Sequence, residues 1–188
     1  MSHPLENILL PIQRLQRGHD EAAHRDILSF SLHKRLKHMV LHFYKYAGKV
    51  LDAGDRRDEA ALRSTLIDAF IICLASANAM NLSLGTALDA APESPSLDGL
   101  AHSLSKRFAQ ADVFASVARD LVIWGGQMAK AVESADHLEA GDPRSEMTRL
   151  LPALTASVLG HLGCLDLGIE AAVRARLAGV ERKSIFAQ

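Results

Sequence analysis

The sequence predicts an all-α protein whose fold is a helical bundle built from two related helical units. Ala and Leu dominate a chain with 48% hydrophobic and only 5% aromatic residues, and this composition favours helices over sheet. Apolar residues also recur at helical spacing through several long segments. The pentapeptide LDAGD at 51–55 is matched by LEAGD at 138–142, each between two long predicted helices. This match, with MNLSL at 80–84 and LDLGI at 165–169, predicts an internal duplication.

The first half is predicted to contain two long helices and two shorter ones. Pro4 suits a first helical turn, and Pro11 is expected to make that helix short or kinked. The polar segment 18–26 is predicted to be a loop. A long helix then runs to about Ala53, and a second, almost wholly apolar helix ends near Met80. A short helix is predicted after it.

The second half repeats this plan. A helix over about 100–109 precedes a long helix from Asp112 and another from Asp142, in which Pro152 is expected to cause a kink or a late start. A last helix is predicted over about 169–177. Side chains that can cap a helix, by accepting a hydrogen bond from a free backbone N–H, precede all four long helices: Ser29 or Ser31, Asp55 or Asp58, Asp112, and Asp142.

The segment 91–99 is the one convincing linker in the chain. It contains two prolines, two serines and a glycine, which are typical of connections between regular elements. Residues 1–90 are therefore predicted to form the first helical unit, and residues 100–188 a second, more divergent one. The two units are expected to pack into one compact body.

Composition and motifs disfavour several classes of function. A formal net charge of −1 gives no overall basic field, so no nucleic-acid partner is expected. The two cysteines, Cys73 and Cys164, lie in apolar helical runs and form no disulfide or zinc pattern. The N-terminus lacks the features of a signal peptide, and the longest apolar run is too short and too polar to span a bilayer. A cytoplasmic protein with no membrane partner is therefore expected.

The apolar helix that ends near Met80 carries one carboxylate, Asp68, near its middle. A helix that is apolar on every side is normally buried. An ionised Asp is costly to bury without a partner. The partner of Asp68 is therefore the first place to look for function.

The order of these helices, with the segments 24–55 and 61–88, resembles the MazG-like all-α nucleoside triphosphate pyrophosphohydrolase superfamily. The resemblance covers about 5–90 and, more faintly, 100–180. In that family, two neighbouring helices supply the carboxylates of an EExxE and an ExxD motif, which hold Mg²⁺ against the triphosphate. Family members usually build their bundle from separate subunits, so a fused pair implies the same arrangement inside one chain. A homodimer remains a further expectation, because long Ala/Leu-rich helices often keep an apolar face for a partner.

The chain departs from the family at the metal-binding positions. The positions that correspond to the two motifs are occupied by Leu41, His42, Lys45, Thr65 and Asp68. Asn78 matches a family Asn further along the helix. No carboxylate stands at the corresponding positions of the second half. One carboxylate, with Lys45 in place of another, is a poor Mg²⁺ site.

His38, His42, Lys45 and Lys49 share one helix face, which meets Asp68 if the family packing holds. Three interpretations stay open. The two histidines and Asp68 can bind a transition metal. Alternatively, Asp68 forms an ion pair or hydrogen bond with Lys45 or a histidine. The basic face can also hold a phosphate directly, without a metal.

The resemblance and the departures from it lead to three functional hypotheses. The first is a binding module without catalysis, whose ligand is a nucleotide, a phosphate compound or a partner protein. The second is a pyrophosphohydrolase with an altered site, which would need Mg²⁺ as its cofactor. The third is a purely structural helical protein. The missing carboxylates favour the first.

Overall fold

The computed structural model describes residues 4–108, 112–137, 142–165 and 167–186. All regular secondary structure within these ranges is helical, so the predicted all-α bundle is confirmed. The helices, in chain order, are α1 Pro4–Ala23, α2 Arg25–Leu28, α3 Leu32–Asp55, α4 Glu59–Ala79, α5 Leu84–Ala87, α6 Leu97–Phe108, α7 Val113–Asp136, α8 Pro143–Gly163 and α9 Ile169–Glu181.

The four long helices begin where the sequence offers a capping side chain. In each case a side-chain oxygen accepts a hydrogen bond from a backbone N–H of the first turn, which has no partner inside the helix. The caps are Ser31 for α3, Asp58 for α4, Asp112 for α7 and Asp142 for α8. Local hydrogen-bond chemistry therefore fixes these helix starts.

The core lies around α4 and α8, which pack against each other. α4 also contacts α1, α3 and α9, while α8 contacts α6 and α7, and α3 packs along α7. One cluster of buried apolar side chains runs through both halves, from Leu5 to Leu177. By length and composition α4 could cross a membrane, so the expectation that the longest apolar run is too short and too polar is wrong, but most of that stretch is buried inside the bundle. Its apolar surface is therefore used for packing within the chain.

α1 is longer than its sequence pattern suggests. The helix continues through Pro11 and spans 20 residues, and α2 begins only two positions after it ends. The predicted loop at 18–26 is therefore wrong. The cause is a change along the inward stripe of α1, where Gln13, Gln16 and His19 are buried in place of apolar residues. Polar residues on a buried stripe look like a solvated segment in sequence.

Two further sequence-based expectations can be compared with the structure. α8 begins at Pro143, as expected, and continues through Pro152, so the alternative of a late start at Pro152 is wrong. α6 begins at Leu97, so the last residues of the predicted linker 91–99 belong to a helix.

The two halves have helices of matching length. α3 and α7 each contain 24 residues, while α4 and α8 each contain 21. The internal duplication stays a prediction. α3 and α7 also expose five large hydrophobic side chains, Leu41, Tyr44, Leu51, Val122 and Ile123. These residues are where the expected homodimer would be sought.

The close approach of α6 and α8 gives a test of the packing. A Cβ added at Gly163 would overlap the backbone carbonyl of Ala101. Gly163→Ala should therefore lower the free energy of unfolding by ~1–3 kcal/mol, the usual effect of overpacking. Gly48→Ala in α3 is the matched control, because its Cβ would meet nothing within 4 Å. That variant should gain about 0.5–1 kcal/mol, since glycine lowers helix stability. Urea unfolding measures both, and a fully stable Gly163→Ala variant would contradict the packing.

Candidate functional site

A cavity of about 290 Å³ lies among α1, α3, α4 and α9. Its apolar wall is formed mainly by Ile71 and Ile72 of α4 together with Leu177 and Val180 of α9. Its polar wall contains five of the six ligand-binding candidates predicted from sequence: His38, His42, Lys45, Lys49 and Asp68. The structure therefore brings together residues that the sequence placed on one face of α3 and on α4.

Asp68 pairs with Arg176, a residue of α9 that lies 108 positions further along the chain. Arg176 Nε donates to Asp68 Oδ1 over 2.6 Å, and Nη2 donates to Oδ2 over 3.1 Å. The Asp68 side chain is 15% exposed and that of Arg176 is 48% exposed. This two-pronged geometry is the strongest way to bind a carboxylate. The expected partner, Lys45 or a histidine, is therefore replaced by an arginine from the second half.

The basic residues of α3 bond to each other. His42 Nε2 lies 3.2 Å from His38 Nε2, and His42 Nδ1 lies 2.9 Å from Lys45 Nζ and 3.1 Å from the Tyr46 hydroxyl. A neutral His42 with its proton on Nε2 fits these contacts, with the single lone pair of Nδ1 shared by the two donors Lys45 and Tyr46. Its Nε2–H then donates to His38, and its Nδ1 accepts from Lys45 and Tyr46.

The pKa values of this network favour uncharged imidazoles. Burial, reinforced by the charge of Lys45, lowers the pKa of His42 to about 4. The same two causes, in the same order, lower the pKa of His38. Burial and the neighbouring Lys49 lower the pKa of Lys45, while burial and Asp68 raise that of Tyr46. The pair of histidines therefore faces the cavity as neutral hydrogen-bonding groups.

A second polar cluster, His19, Asp20 and His24, lines the same cavity. One ligand atom from each of these residues lies within 4.8 Å of the others. His19 is buried, and its Nδ1 lies 2.9 Å from Glu181 Oε1 of α9. Burial raises the pKa of the Asp20 carboxyl against the opposing charges of nearby basic groups. The sequence did not point to this cluster, because it lies in the segment that was predicted to be a loop.

The metal set predicted from sequence was His38, His42 and Asp68. Both carboxylate oxygens of Asp68 accept hydrogen bonds from Arg176, so this side chain is already engaged. Within the described ranges, the group of three whose ligand atoms come together is the second cluster instead. The geometry therefore favours a different trio for any metal.

Asn78 lies outside the cavity wall and joins α1 to α4. Its Nδ2 donates to the Gln13 carbonyl over 2.8 Å and to Gln16 Oε1 over 2.7 Å. Its Oδ1 accepts from Gln13 Nε2 over 3.2 Å. Gln16 in turn lines the cavity. Asn78 therefore helps to hold Gln16 in place at the cavity wall without lining the cavity itself.

The fold and the site define an all-α bundle with a small polar cavity between the first half and the last helix. Comparisons with protein-family models, with curated proteins and with solved structures gave no match. The resemblance to the MazG-like superfamily therefore rests on the sequence pattern alone. The function has to be argued from the cavity itself.

The ion pair between Asp68 and Arg176 can be tested by a double-mutant cycle in urea. Arg176→Met should lower the free energy of unfolding by ~1–3 kcal/mol, because it leaves a mostly buried carboxylate without its donor. The double variant with Asp68→Asn should lose less than the sum of the single losses. Arg174, two residues earlier in α9, forms an exposed pair with Glu170, so Arg174→Met is the matched control and should change stability by no more than about 0.5 kcal/mol. If the losses of stability in the two single variants simply add in the double variant, the interaction between Asp68 and Arg176 is ruled out.

The depressed pKa of His42 gives a second prediction for this site. An NMR titration should place its midpoint near 4, below the ordinary value of 6.5. Lys45→Met should raise this midpoint, whereas Lys37→Met, on the same helix but paired with Asp136, should leave it unchanged.

The same shift has a consequence for stability. Because the folded protein binds fewer protons than the unfolded chain between about 6.5 and 4, His42 makes the fold less stable as the pH falls through that window. A midpoint at the ordinary value would show that the network is solvated.

Proposed function

We propose that the protein binds a small anionic ligand of the phosphate or nucleotide class in the cavity between α1, α3, α4 and α9. The observation that carries this proposal is the convergence of Lys45, Lys49 and Arg176 on one cavity. These cations come from two helices that belong to opposite halves of the chain. The cavity also contains two acidic residues, Asp68 and Asp20, which are fewer than its three basic residues.

The cations keep donors available for a ligand. Arg176 uses Nε and Nη2 for Asp68, and half of its side chain is exposed. Within the described ranges its Nη1 makes no hydrogen bond, and Lys49 has no acidic partner. Guanidinium and ammonium groups bind phosphate through charge-assisted hydrogen bonds.

The size of the cavity and its apolar wall narrow the ligand class. A volume of about 290 Å³ is at the lower end of small-molecule sites, which span about 300–1,000 Å³. Ile71, Ile72 and Leu177 offer a surface against which a ring can pack. A phosphorylated compound with one small apolar or cyclic group matches both walls.

A binding role is favoured over the chemistry of the MazG-like superfamily. The family mechanism needs several carboxylates around Mg²⁺, and in this chain the corresponding α3 positions hold Leu41, His42 and Lys45. The remaining acid, Asp68, is bonded to Arg176 through both oxygens. A pyrophosphohydrolase with an altered, Mg²⁺-dependent site is the second candidate, and it rests on the resemblance alone.

Calorimetric titration of metal-free protein with pyrophosphate and with nucleoside mono-, di- and triphosphates tests the binding role. Replacing Lys45 and Lys49 together by Met should weaken binding at least about tenfold, because one charge-assisted hydrogen bond is worth ~1.5–3 kcal/mol. Lys106→Met is the matched control, since this lysine pairs with Glu93 on another part of the surface. Its affinity should equal that of the unmodified protein.

Three outcomes would contradict the proposal. The first is no measurable binding of any phosphate compound, and the second is an equal loss in the Lys106→Met control. The third is hydrolysis of a nucleoside triphosphate with Mg²⁺ or Mn²⁺ that disappears in Asp68→Ala. That result would replace the binding role by the second candidate.

A further inference from the structure

The cluster of His19, Asp20 and His24 has the chemistry of a metal site. One ligand atom from each residue lies within 4.8 Å of the others, so small side-chain movements would bring all three within reach of a single ion. The two imidazole rings stand 5.2 Å apart, edge to face. α1 supplies His19 and Asp20, while His24 lies in the short connection between α1 and α2. The three side chains therefore converge from one short segment of chain.

The surroundings of His19 add an independent observation. Its side chain is 3% exposed, and Glu181 of α9 accepts a hydrogen bond from its Nδ1 over 2.9 Å. A carboxylate accepts rather than donates, so the neutral His19 carries its proton on Nδ1 and keeps a lone pair on Nε2. Metal-binding histidines are typically held in this way, with the second nitrogen bonded to a carboxylate. Glu181 therefore fixes both the tautomer and the ring orientation.

We infer that His19, Asp20 and His24 bind a divalent transition metal ion, with Glu181 as the residue that positions His19. Two imidazoles and one carboxylate are the ligand set typical of Zn²⁺, Fe²⁺ and Co²⁺ sites. Mg²⁺ and Ca²⁺ prefer oxygen ligands and fit this set poorly.

Three protein ligands leave at least one coordination position for a further group. All three residues line the cavity that holds Lys45 and Arg176, so this position faces the same space. A phosphate oxygen could complete the coordination sphere, and this extension rests on the proposed anion-binding function. The metal site itself does not depend on it.

Titration of metal-free protein with Co²⁺ or Zn²⁺ alone, with no anion beyond an inert buffer, tests the inference. Visible absorption should report one Co²⁺ bound per chain, and calorimetry should report one Zn²⁺. His24→Ala and Asp20→Asn should each abolish this site or weaken it at least tenfold. Glu181→Gln should weaken it by about 10–100-fold, the usual effect of losing an outer-shell carboxylate.

Two controls locate the ion within the cavity. His38→Ala removes a histidine of the same cavity that lies outside the trio, and His102→Ala removes an exposed histidine of α6. Both should bind the metal with unchanged affinity, and circular dichroism should show that all variants fold. His24 is only half-buried, so its replacement leaves the core intact.

Absence of binding, or full affinity in folded His24→Ala, would overturn the inference. Loss of binding in His38→Ala with retention in His24→Ala would assign the ion to the set predicted from sequence instead. Because the phosphate titration uses metal-free protein and the metal titration uses no phosphate, either proposal can fail without the other.

Discussion

The structure of the site depends on the ion pair between Asp68 of α4 and Arg176 of α9, which joins the two halves of the chain. Asp68 is the only charged residue in the apolar middle of α4, and its carboxylate is satisfied by Arg176. An unpaired carboxylate there would oppose the packing of the core helix, so α9 has to dock with Arg176 in this position. α9 is also held where Glu181 bonds to His19, and the segment that follows it is held where Ser184 donates to the Ala23 carbonyl. The last helix is thereby fixed against the first half.

The docking of α9 creates the cavity and gives it two chemically different regions. Towards α3 and α4, Arg176 joins Lys45 and Lys49, and the neutral His42 links Lys45 to Tyr46. Towards α1, α9 supplies Glu181, which orients His19 of the cluster formed by His19, Asp20 and His24. A cationic region and a potential metal site therefore share one small volume. Both favour negatively charged oxygen in a ligand, because each presents positive charge or a Lewis acid to it.

Local features of the fold could be predicted from the sequence, whereas distant pairings could not. The caps at Ser31, Asp58, Asp112 and Asp142 depend on hydrogen bonds within three residues, so short sequence patterns reveal them. The shared face of α3 follows from helical spacing in the same way. Arg176 was missed because its partner lies 108 positions away, and nothing in helical periodicity specifies how two helices dock. The group of His19, Asp20 and His24 was missed because polar residues at the end of α1, some of them buried, look like a loop when only hydrophobicity is considered.

The pairing also changes the interpretation of Asp68. In sequence it resembles the last carboxylate of a lost metal site, and the resemblance suggested that the cations of α3 had replaced the metal. In the structure, the charge that balances it comes from α9, so Lys45 and Lys49 stay available to a ligand. A guanidinium already held by two hydrogen bonds loses little freedom when an anion approaches its remaining N–H groups. Asp68 is therefore better understood as the group that orients Arg176. Its negative charge also reduces the positive potential of the cavity for an anion.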